Sequence, residues 1–113
     1  MRVIARIIPG PRWQCGRSVY EQGPAIQAHL AYMKARYEEG SLLIGGPFTT
    51  GLSGIAVLEV PDLRAATDLA QSDPAVAAGV LVYELDELRA LFDVVSASRP
   101  HAAPVTAAWG EPT

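Results

Sequence analysis

Residues 41–60 read Ser-Leu-Leu-Ile-Gly-Gly-Pro-Phe-Thr-Thr-Gly-Leu-Ser-Gly-Ile-Ala-Val-Leu-Glu-Val. Two apolar runs, Ser41 to Gly45 and Gly54 to Val60, flank a short connection rich in glycine and threonine, which predicts a β-hairpin. Upstream, the β-branched run Arg2 to Ile8 predicts a strand stopped by Pro9-Gly10-Pro11, a cluster that cannot continue a ladder. A loop with Arg12, Trp13, Arg17 and Tyr20 leads to a helix from Pro24 to Glu39. Proline suits its first turn, Gly40 suits a left-handed C-terminal cap, and Ile26, Leu30, Met33 and Tyr37 form its apolar stripe. Downstream, Asp62 caps a second helix to Gln71 with Leu63, Ala66 and Ala70 inward. Asp73-Pro74-Ala-Val-Ala-Ala-Gly79 reads as one capped helical turn, and Val80 to Asp86 as the last strand.

The order βαββαβ is the ferredoxin-like α+β plan, a sandwich in which two helices cover one sheet face. On a solvated second face the strands would alternate apolar and polar, yet Val3-Ile4-Ala5, Leu42-Leu43-Ile44, Ile55-Ala56-Val57-Leu58 and Val80-Leu81-Val82 are apolar on both parities. Each side chain of about 120 Å² left exposed there would forfeit roughly 3 kcal/mol, so two protomers are expected to pair sheets face to face as a dimeric α+β barrel, a homodimer. With 113 residues the chain is one domain, expected over 1–93. Residues 94–113, rich in Ala, Ser and Pro and without periodicity, are expected to be a tail that is flexible unless a partner holds it.

Composition excludes several classes. Formal charge is −3 and the basic residues are scattered, which is wrong for nucleic acid. Half of the residues are hydrophobic, yet the longest apolar run, Ala75 to Tyr83, is too short to span a bilayer. No signal peptide is visible, so a cytoplasmic protein with no membrane partner is expected. The single cysteine, Cys15, allows no intramolecular disulfide. His29 has Ala25 and Met33 at i−4 and i+4, and His101 lies in the tail, so no metal site is expected. Phosphate-loop and dinucleotide fingerprints are absent, so no cofactor is expected either.

His29-Leu30, Gly40-Ser-Leu-Leu-Ile-Gly-Gly-Pro47, Val57-Leu-Glu59 and above all Ser72-Asp-Pro-Ala-Val-Ala-Ala-Gly-Val80 resemble the YCII-related family of dimeric α+β-barrel proteins. The resemblance spans roughly residues 1 to 90. It implies a ferredoxin-like protomer, a face-to-face dimer, and a pocket where a helix histidine and the Asp of Asp-Pro form an acid–base pair. A dehydrochlorinase of chloroaromatic breakdown belongs to the family, and muconolactone isomerases share the barrel. The loop from Arg12 to Gln22 and the tail after Asp93 depart from the usual pattern.

The candidate catalytic residues are therefore His29 and Asp73. On a helical wheel His29 lies about 70° from the centre of the apolar stripe, at the border of the buried face. There an imidazole either reaches a pocket as base and acid or is a satisfied boundary residue. Asp73 is a cap alone, or a cap that also orients the imidazole. Arg6 and Glu59 are charges on apolar strands that would be neighbours, a candidate pair for a polar substrate or a structural ion pair, with Glu84 competing for Arg6. Trp13, on a loop long enough for a lid, and Phe48, after Gly45-Gly46-Pro47, complete the candidate substrate contacts. Three functions fit these residues. The first is a cofactor-independent lyase, hydrolase or isomerase acting on a small oxygenated cyclic or aromatic molecule; the others are a non-catalytic ligand-binding or accessory dimer, and a cofactor-free monooxygenase.

Overall fold

The computed structural model describes residues 1–94; the expectations for the tail and for His101 lie outside the described residues. Strand β1 (Arg2–Pro9) is followed by a 3-10 turn at Val19–Glu21, helix α1 (Pro24–Glu39), the hairpin β2 (Leu42–Pro47) and β3 (Gly54–Glu59), helices α2 (Leu63–Gln71) and α3 (Pro74–Ala77), and β4 (Leu81–Leu88). The strands form one antiparallel sheet in the order β2-β3-β1-β4. This is the expected ferredoxin-like α+β arrangement.

The local signals explain the boundaries. Gly40 takes φ 94°, and its N–H bonds to the carbonyls of Arg36 and Tyr37, closing α1. Asp62 Oδ1 accepts the Ala65 N–H at 2.8 Å and opens α2. Proline does not end β1 where expected. Pairing with β4 continues to Pro9, because β3 has already stopped opposite Ile7 and leaves the imino nitrogen no ladder bond to lose. Gly10 carries the contact one residue further, its N–H donating to Val80 O at 2.8 Å; a Cβ there would sit 2.5 Å from Gly79 O.

Val3, Ala5, Ile7, Ala56, Leu58 and Leu81 point from the sheet into a core completed by Ile26 and Met33 of α1, Ala66 and Leu69 of α2, and Ala75 of α3. Two expected stripes need correction. Leu30 and Tyr37 of α1 and Leu63 of α2 are half-exposed or more, and the inward face of α1 is Ile26, His29 and Met33, flanked by Ala25, Tyr32 and Arg36. The helix has turned a polar residue inward because a partner for it is buried below.

The opposite sheet face carries Ile4, Ile8, Ile44, Ile55, Val57 and Val82 and is uncovered in the protomer. Ile44, Val57 and Ile4 form one row across three strands, with Val57 in the middle. The expected Arg6–Glu59 pair does not form, since the register sets Arg6 opposite Ile55 and Arg2 opposite Glu59, four residues or about 13 Å away along the strand. Arg6 instead reaches Asp86 at 3.1 Å and Glu84 at 3.8 Å on β4, while Glu59 meets Arg2 at 3.2 Å and the N-terminal ammonium at 3.1 Å. Among the described residues no helix is long and apolar enough to cross a membrane.

Burial alone would raise the Glu59 carboxyl, but the N-terminal ammonium and Arg2 more than offset this and hold it below its ordinary range. A depressed folded value gives stability that is present at neutral pH and lost as pH falls, starting near pH 5 and continuing through the depressed value. We expect Glu59→Gln to flatten the acid limb of a plot of urea midpoint against pH. An unchanged limb would assign the acid sensitivity to other carboxylates.

Candidate active site

The site is organised by one carboxylate. Asp73 caps α3, its Oδ1 accepting the Ala75 N–H at 2.9 Å, and its side chain is wholly buried. Oδ2, left over from capping, accepts from the His29 Nδ1–H at 2.6 Å and from the Tyr83 hydroxyl. Three elements meet there: α1 brings the imidazole, α3 the carboxylate and β4 the phenol. Burial first, and then the hydrogen bond to Asp73 and its charge, push the Tyr83 hydroxyl far above the usual tyrosine range, so it remains a donor. Its oxygen also lies 3.3 Å from Met33 Sδ, but its one proton goes to the stronger acceptor, the carboxylate.

A carboxylate on Nδ1 determines the neutral tautomer of His29, with the proton on Nδ1 and the lone pair on Nε2. The ring borders a cavity of about 160 Å³, comparable to engineered cavities of about 150 Å³ that admit benzene. Neither Asp73 nor Tyr83 lines it, and with Nδ1 committed to Asp73 the ring nitrogen left for a ligand is Nε2. Its other walls are mostly apolar: Ile26, Leu30 and Met33 of α1, Ile7 and Leu81 of the sheet, Gly45, Gly46 and Pro47 of β2, and Trp13, Val19 and Tyr20 of the loop. No Lys, Arg, Asp or Glu lines it. Among the described residues no cluster of three or more His, Cys, Asp and Glu could hold a metal ion.

The structure thus places His29 and Trp13 on the cavity wall, with Asp73 buried behind the imidazole, and leaves Arg6, Glu59 and Phe48 outside the cavity. Arg6 and Glu59 lie on the uncovered sheet face, because residues of even number on β1 and odd number on β3 point away from the helices. Phe48 follows β2, about half-exposed, and does not line the cavity. Cys15 is exposed.

Two residues escape the sequence reading. Tyr83 has a usable signal, since it shares its parity on β4 with the inward Leu81 and Leu85. Gln22 has none. Its carboxamide is buried, accepts the Gln14 N–H at 2.7 Å, and donates to the carbonyls of Gln14, Arg17 and Ser18 at 3.0, 3.1 and 3.3 Å. A satisfied buried amide of this kind makes the Trp13–Tyr20 loop a fixed cavity wall.

We expect Tyr83→Phe to cost about 1.5–3 kcal/mol of stability by urea denaturation, the range for a hydrogen bond to a charged group. A variant as stable as the wild type would show that the hydroxyl contributes nothing to holding Asp73.

The fold and this site define a class: ferredoxin-like α+β proteins with a buried carboxylate orienting a helix histidine toward a small cavity. The sequence model of the YCII-related domain matches residues 14–89, and the chain belongs to the YCII-related family. Among solved structures it is similar to the 5-chloro-2-hydroxyhydroquinone dehydrochlorinase of Burkholderia phenoliruptrix AC1100, determined in complex with 2,5-dihydroxybenzoquinone. The TM-score is 0.58 at 15% sequence identity, over 77% of this chain and 93% of the other. No curated protein sequence matches.

Proposed function

We propose that the protein is an acid–base enzyme of the lyase, hydrolase or isomerase type, using no cofactor and acting on a small oxygenated ring compound. The observation that carries this reading is the His29 Nδ1 to Asp73 Oδ2 bond of 2.6 Å, with His29 in the wall of an apolar cavity the size of one ring. Nε2 takes a proton from a ring carbon or hydroxyl, and the electron pair it leaves moves into the ring. That pair either expels a leaving group or accepts the proton back at another atom. Asp73 stabilises the imidazolium meanwhile, without itself taking the proton. The similar dehydrochlorinase, with its hydroxylated aromatic substrate, supports the substrate class. Positioning and one proton transfer suffice for such steps.

The functional unit in this reading is residues 1–93 paired as a homodimer through the uncovered sheet face, with Arg6 and Glu59 serving the sheet and its interface.

The test uses 5-chloro-2-hydroxyhydroquinone, followed by chloride release, and 2,5-dihydroxybenzoquinone, followed by shifts of the His29 ring resonances. We expect turnover by the wild type and a loss of about 10²- to 10⁴-fold in His29→Gln with the fold intact. Turnover retained in that variant sinks the reading. Binding of the quinone without turnover of any ring compound would place the ligand-binding module ahead.

A further inference from the structure

The cavity poses an electrostatic problem that His29 does not solve. Removing a proton from a ring substrate leaves negative charge on it, and no Lys or Arg lines the walls to receive that charge. In a low-dielectric site a fixed backbone N–H aimed at the developing charge does this work. The hydrogen-bond pattern of the hairpin shows where one is free. Strand β2 lies at the edge of the sheet, so only one of its sides is paired. The Phe48 N–H donates to Ser53 O at 2.8 Å, and the alternation of an antiparallel ladder makes Gly46–Ile55 the next bonded pair and Gly45–Ala56 an unbonded one. The N–H and C=O of Gly45 therefore point off the free edge, and no described residue outside the sheet bonds to them. Of the four β2 residues on the cavity wall, Leu42 is buried opposite Leu58, Gly46 has its N–H committed to β3 and Pro47 has none.

The residue type agrees. Gly45 has no positive φ, so its backbone conformation does not demand glycine. A Cβ there would meet the end of the Leu42 side chain at 3.2 Å, Ile55 O at 3.4 Å and Ala56 Cα at 3.6 Å. Gly45 follows the β-bulge between Leu42 and Ile44, and its bare main chain leaves room for the close approach of another group.

We propose that the Gly45 N–H is the donor that holds an ionising oxygen of the substrate, a phenol or enol on a single ring, while His29 Nε2 receives the proton. The proton passes from the substrate hydroxyl to the imidazole, and the Gly45 N–H holds the oxygen that carries the negative charge until its electron pair moves into the ring. This rests on the acid–base reading above and adds the group that receives the charge. It also predicts a preference: the cavity binds a ring oxyanion more tightly than a neutral ring of the same shape.

The probes are 4-nitrophenolate and nitrobenzene, titrated into the 15N-labelled full chain. We expect the phenolate to bind more tightly than nitrobenzene and to move the Gly45 amide proton downfield together with the His29 ring resonances. Gly45→Ala adds a Cβ and keeps the donor. Gly45→Pro removes the donor at an edge position where proline leaves the ladder intact. Phenolate affinity should fall about tenfold from the alanine to the proline variant, which is about 1.4 kcal/mol. If the phenolate moves His29 but not Gly45, and the two variants bind it equally, the proposal is overturned and the acid–base reading stands. If neither residue moves up to the solubility limit, both fall. Should the proline variant fail to fold, the wild-type Gly45 amide shift decides.

Discussion

Asp73→Asn is expected to lower turnover by about 10³- to 10⁴-fold without unfolding the protein, because it leaves His29 in place with the wrong nitrogen protonated. The carboxylate has two oxygens with different duties. Oδ1 accepts the Ala75 N–H and Oδ2 accepts from His29 and Tyr83. An asparagine that keeps its carbonyl on the cap presents its NH₂ to Nδ1, and the ring then carries its proton on Nε2, with no lone pair left there for a ligand. The flipped amide sets NH₂ against the Ala75 N–H, two donors face to face. The first arrangement is the cheaper, since asparagine caps a helix about as well as aspartate. Ring 15N shifts of neutral His29 check the tautomer directly, and chloride release from 5-chloro-2-hydroxyhydroquinone checks the rate. A variant whose neutral ring keeps the proton on Nδ1 and whose turnover is unchanged would reduce Asp73 to a helix cap.

Val57→Asp is expected to leave the chain monomeric where the wild type, in the proposed face-to-face pairing, sediments as a dimer. Val57 lies in the row between Ile4 and Ile44 on the uncovered face, on a strand with neighbours on both sides. A carboxylate there costs the protomer little, because the face is open to water. In a face-to-face pair it is desolvated without a partner and meets its own copy, which costs on the order of 3–5 kcal/mol and weakens association about 10²- to 10³-fold or more. Sedimentation of wild type and variant over a concentration series measures this. A wild type that sediments as a monomer, or a variant that stays dimeric, would show that this face is not the interface. His29 and Asp73 lie across the sheet, so their hydrogen bond should persist in the variant and its ring tautomer should match the wild type.

The elements and their order are legible in local stretches of the chain. Boundary signals are local: Pro24 and Gly40 frame α1, Asp62 and Asp73 open α2 and α3, and Gly-rich connections close the hairpin. Each acts within a few residues of itself, so it is legible without the rest of the chain. His29 and Asp73 are legible one by one for a similar reason, the first as the sole histidine within the described elements and the second as an Asp-Pro cap, while their pairing is what the resemblance to the YCII-related family implies.

Which way side chains face, and what meets across the chain, follows only from the folded packing. Hydrophobic periodicity assigns Leu30 and Tyr37 to the core and His29 to its border, yet His29 lies at the centre of the buried face because Asp73, 44 residues away, waits there as partner. Register separates Arg6 from Glu59 and gives each another ion partner, a choice that composition does not contain. Tyr83 and Gln22 matter through groups brought to them by other segments. The physical reason is common to all four. The burial of a polar side chain is determined by whether a partner satisfies it, and a partner distant in sequence exists only once the chain has folded.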